Sequence, residues 1–137
     1  MKSHKELLDD ELESQLKNCT LDPTIFNHEA HIRLAWIHLT KYGLEQDQQN
    51  ITTQLKAFVT SLGAQSKYHE TLTVAAVNIV YHFMQKSDSK SFQEFINKSA
   101  RLVHDFEGLI TAHYRFDIYK NETAKKEYLR PDLIPFD

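Results

Sequence analysis

Asn27-His28-Glu29-Ala30-His31-Ile32-Arg33-Leu34-Ala35-Trp36-Ile37-His38-Leu39-Thr40-Lys41-Tyr42-Gly43 is the stretch on which the fold turns. Asn27 is a good N-cap, because its side-chain oxygen can accept a hydrogen bond from a first-turn amide. Gly43 is a natural stop, since glycine tolerates the left-handed backbone with which many helices end. No Gly or Pro lies between them. The spacing therefore predicts a helix from Asn27 to Tyr42. At about 100° per residue, His28, His31, Leu34, Ala35, His38, Leu39 and Tyr42 share a broad face, with Arg33 and Lys41 towards the opposite side.

Similar patterns extend in both directions. Ser3-His4-Lys5-Glu6 has capping-box form, and Leu8, Leu12, Leu16 and Cys19 follow at helical spacing, predicting a first helix over 4–18. Pro23 ends it. Ile51, Leu55, Phe58, Val59 and Leu62 predict a helix over 45–62 that Gly63 closes. Ser66 is the expected cap of a helix over 67–85, which is apolar nearly all round from Leu72 to Met84 and hence central. Ser91 to Glu94 repeats the capping box ahead of a helix to 104. Gly108 breaks the pattern before a turn carrying Leu109 to Tyr114, and Asn121 caps a last helix near 122–129. Pro131 and Pro135 extend the tail 130–137. The expected fold is all-α: an up-down bundle of about five main helices in one domain over 1–137, its core at about 4–129.

Bulk properties narrow the function. The chain has 137 residues, 41% hydrophobic and 26% charged, with three Gly and three Pro, which disfavours a turn-rich β fold. A net charge of −3 gives no basic footprint for nucleic acid. No apolar run reaches the roughly 20 residues of a membrane helix, and the polar N-terminus lacks a signal-peptide core. One cysteine, Cys19, forms no internal disulfide. These features lead us to expect a cytoplasmic protein that engages neither nucleic acid nor membrane.

The eight histidines are the compositional oddity. In an up-down bundle the helices that begin at His28 and His69 start at the same end, and the chain returns there with His113 and Tyr114. Imidazoles three residues apart can share one ion, and the positive end of a helix keeps them neutral. His28, His31, His69 and His113 are thus candidate ligands of a divalent transition metal, with zinc or iron suited to imidazole. Glu70 and Tyr114 are the candidate catalytic groups, Glu70 as general base and Tyr114 with Arg115 as a hold on a small anionic substrate. His38 lies about 10 Å beyond His31 along the axis and falls outside that site. His4 and His104 read as solvated. Isolated His-x-x-His pairs also occur at ordinary helix ends, and a first-turn glutamate is often there for the helix dipole. Two further readings therefore stand beside the metal site: a metal-free pocket using histidine acid–base chemistry, and an interaction module that docks its tail on another chain.

The blocks Phe26-Asn27-His28-x-x-His31, Ala35-Trp36, Tyr68-His69-Glu70-Thr71-x-Thr73, His113-Tyr114 and Pro131-Asp132-Leu133 resemble a family of small, uncharacterised bacterial proteins, over roughly residues 21–135. The resemblance implies that His28, His31, His69 and the His113-Tyr114 pair form one recurring constellation. It implies no activity. The family's His-Tyr block usually continues with Ser, where this chain has Arg115.

Overall fold

A computed structural model describes residues 3–136. Met1, Lys2 and Asp137, the last of which belongs to the predicted tail, lie outside them. Among the described residues there are eight α-helices and no strand, so the fold is all-α. The chain divides into two compact units, Met1–Tyr68 and His69–Asp137.

The first unit is built on α1 (Asp9–Lys17), α2 (His28–Tyr42) and α3 (Leu44–Ser61). Asn27 caps α2 as its side-chain chemistry dictates, Oδ1 accepting from the Ala30 amide at 2.9 Å. Gly43 joins α2 to α3 by itself at φ +86°. Its amide donates to Leu39 and its carbonyl oxygen accepts from Asp47, which makes a tight hairpin. The helix α2 is buried continuously from Ile32 to Leu39, so neighbours cover more than one face.

The structure corrects the expectation for the N-terminus. The Ser3 hydroxyl caps only a 3-10 turn, His4–Glu6, and α1 begins later, at Asp9, where Glu11 reaches back to the Leu8 amide. His4 is 2% exposed, not solvated. Its Nε2 pairs with Glu29 at 2.8 Å, while burial lowers its pKa. Arg33, also buried, donates to the carbonyl oxygens of His4 and Leu7 and to Asp9. Next along this side of α2, Lys41 bridges Asp10 and Glu13 at 2.6 Å each. The side that carries Arg33 and Lys41 faces the charged edge of α1.

The second unit comprises α4 (Glu70–Gln85), α5 (Phe92–Lys98), α6 (Arg101–His104), α7 (Phe106–His113) and α8 (Glu122–Lys126). Ser66 does not cap α4. A 3-10 turn, Gln65–Lys67, precedes it, and His69 is the N-cap. The helix expected to run from Ser91 to 104 is capped by Ser91 as predicted but breaks at Ser99 and Ala100 into α5 and α6. Gly108 sits inside α7 rather than ending a helix. A Cβ there would stand 2.5 Å from an Asp105 carboxylate oxygen, so the glycine leaves room for the side chain that Arg101 holds at 2.8 Å. Asn121 caps α8 through the Ala124 amide. Beyond α8 the tail bends back onto its own unit, the Leu133 amide donating to His113 O.

Candidate functional site

In the first unit, His28 opens α2 and His31 lies one turn on. The His31 ring stacks on Phe26, centroids 3.9 Å apart and planes 20° off parallel. Phe26 in turn meets Phe58 edge-on at 5.6 Å. The extended residue Asn27 turns the chain between Phe26 and α2, which is how a ring before the helix comes to lie over one in its first turn. Desolvation, with the charge of His28 as second cause, lowers the His31 pKa to about 4. Water still reaches the residue, so at pH 7 this is a neutral, accessible imidazole. Among the described residues no protein group hydrogen-bonds either of its ring nitrogens.

In the second unit the chosen residues are occupied. His69 Nδ1 accepts from the Leu72 amide at 3.0 Å. The proton is therefore on Nε2, which donates to Ile118 O at 2.7 Å. Histidine can cap a helix this way because its unprotonated nitrogen stands where an Asn oxygen would. Glu70 is the first residue of α4, where a carboxylate complements the positive helix end. The Thr71 hydroxyl donates to Glu127 O at 2.8 Å and accepts from the Leu129 amide at 3.0 Å. Tyr114, 2% exposed, donates to Leu129 O at 2.7 Å. Burial, then the neighbouring Tyr128, raises its pKa well above the usual tyrosine value, which makes it a poor acid or base. His113 Nδ1–H donates to Ile134 O at 2.6 Å, and the Phe136 ring lies 4.5 Å from its own.

The chemistry of the donors bears on metal binding. A ligating histidine commonly donates one N–H to a carbonyl and binds the ion through the other nitrogen. His113 has that form. His69 does not: both its nitrogens are committed, and ligation would break the cap of α4 or the bond to Ile118. Among the described residues no group of three or more His, Cys, Asp or Glu is arranged to hold a metal ion.

Two groups escaped the sequence reading. His4 and Arg33 are buried in contact with each other, with Glu29 on the His4 ring, and their signal was an arginine inside an otherwise apolar run. Asp47 is fully buried, both carboxyl oxygens lack a hydrogen-bond partner among the described residues, and burial pushes its pKa up to about 8. Its position four residues before Ile51, in register with Leu55 and Phe58, was the available sign. Buried His38 takes a 3.3 Å contact from Asn50 at Nδ1, and its Nε2 has no partner among the described residues.

No described helix is long and apolar enough to cross a membrane. Comparison with family models, curated proteins and solved structures finds no match to this chain.

Proposed function

We propose that the chain binds a small anionic molecule at the start of α2 and uses His31, without a resident metal, as the group that takes up a proton on binding. The observation that carries this reading is the His31 ring itself, stacked on Phe26 and exposed to water. A neighbouring negative charge favours the protonated imidazole. A ligand carboxylate or phosphate would thus raise the pKa of His31 from about 4 towards neutrality, coupling binding to proton transfer. His28, one turn away, supplies a second imidazole, and the first turn of α2 adds the positive end of its dipole. This reading is preferred to the four-histidine metal site because His69 has no nitrogen to give.

The test is a histidine NMR titration with inorganic phosphate and with acetate. The imidazole resonances of His28 and His31 should move together, with His31 gaining a proton, while those of His69 and His113 stay fixed. His31→Phe keeps the stacking area and should abolish the proton uptake. If neither anion shifts His31, the reading fails. Stoichiometric zinc binding lost in both His31→Ala and His69→Ala would restore the metal site in its place.

A further inference from the structure

We infer that His69, Thr71, His113 and Tyr114 together form a receptor for backbone carbonyls, whose ligand is the chain's own C-terminal segment, and that residues 115–136 are a strap that opens from it as one unit. Four side-chain donors meet four carbonyl oxygens: His69 Nε2 on Ile118, the Thr71 hydroxyl on Glu127, the Tyr114 hydroxyl on Leu129, and His113 Nδ1 on Ile134. In the other direction, the Leu133 amide of the strap donates to His113 O. Thr71 also accepts from the Leu129 amide, so one hydroxyl reads the chain at 127 and 129 from both sides. Asp132 accepts from the Arg115 amide at 2.7 Å, pinning the strap to its own root.

Apolar contact adds the packing of α8 on α4 and the Phe136 ring against His113 and Tyr114. The strap has one helix, α8, five residues long. Its buried side chains are Ile118 and Ala124, while Leu133 and Ile134 are 44% and 55% exposed. A segment anchored by polar contacts and little apolar burial opens at lower free energy than the helices beneath it. Opening is also a near-even exchange, because the released donors and carbonyls all find water. When the strap lifts, the hydroxyls of Thr71 and Tyr114 and the Nε2 of His69 lose their carbonyl partners and become open donors. His69, His113 and Tyr114, which read as site residues in the sequence, thus share one role with Thr71, since each grips the strap.

Native-state hydrogen exchange on the full chain tests this. In the unmodified protein, the amides of Ala124 and Leu129 should exchange together, and faster than those of Val77 and Val80 in α4. Three substitutions each remove one grip: His69→Asn, which retains an N-cap acceptor for Leu72, Thr71→Val and Tyr114→Phe. Each should speed strap exchange about tenfold and leave Val77 and Val80 unchanged. Trypsin cleavage after Lys120 and Lys126 should accelerate in parallel. If strap and α4 amides exchange at one common rate in the unmodified chain, the segment opens only by global unfolding and the inference is wrong. Strap exchange indifferent to all three substitutions would also overturn it.

Discussion

The Arg33 guanidinium donates to the backbone carbonyl oxygen of His4 at 2.5 Å, across 29 positions of sequence. The same fork reaches Leu7 O and Asp9 Oδ1, so a single side chain in α2 fixes the route of the N-terminal segment into α1. Lysine can bring the charge but not the planar fork. Arg33→Lys should destabilise the protein by about 2–4 kcal/mol, since it leaves buried carbonyls unsatisfied. Urea unfolding measures it. A loss under about 0.5 kcal/mol, the range of an ordinary surface substitution, would mean the clamp is dispensable.

Asp47 should make stability fall with rising pH. Its folded pKa of about 8 lies above the ordinary carboxylate value, so between about 4 and 8 the folded state holds a proton that the unfolded state has released. That protonation favours folding at low pH, and the benefit is lost as pH rises through the window. The stability of Asp47→Asn relative to the unmodified chain should therefore climb by up to about 1.4 kcal/mol per pH unit across it, then level off. Paired denaturation curves at pH 5, 6, 7 and 8 check the sign. A difference independent of pH contradicts the assignment.

Cys19 sits at φ +59°, the left-handed region usually filled by glycine. It ends α1 in a Schellman arrangement, with Thr20 N donating to Gln15 O and Cys19 N to Leu16 O. Replacing it with glycine relieves the Cβ penalty, and Cys19→Gly should stabilise the protein by about 1 kcal/mol. The readout is a rise in thermal midpoint, with a fall counting against this account.

Gly43 stands at φ +86° and ψ 172°, a region almost confined to glycine. A Cβ there would meet nothing within 4 Å, so Gly43→Ala isolates backbone strain from packing. It should cost about 1–3 kcal/mol by chemical denaturation. An unchanged midpoint would show that the α2–α3 hairpin can be made without the glycine conformation.

The helices were legible wherever a cap and a stop flanked a periodic run. Asn27 and Gly43 bracketed α2 to the residue, and Ser91 and Asn121 opened their helices as read. Legibility failed where a side chain had a distant partner. Ser3 looked like the cap of a long helix, but Arg33 takes the carbonyls of His4 and Leu7 and holds the chain out of helical form until Asp9. The run from Ser91 to His104 kept its apolar spacing, yet it is interrupted at Ser99 and Ala100. We have no local sequence reason for that break. The candidate site divided in the same way. His28 and His31 could be placed from their own helix, whereas the hydrogen-bond partners of His69 lie 3 and 49 positions away, and no spacing rule reports the second.

The sequence by itself determined the all-α class, the caps of α2, α5 and α8, and the glycine hairpin, because these depend on groups within about four residues of one another. It also marked His31, as one of two imidazoles three residues apart on α2, while its stacking on Phe26 came only from the structure. Only the tertiary structure decided what the other marked residues do. His69, Thr71, His113 and Tyr114 carry chemistry suited equally to a metal, a substrate or a carbonyl oxygen. The choice fell to the segment after Tyr114, whose carbonyls meet their donors once the chain has folded back.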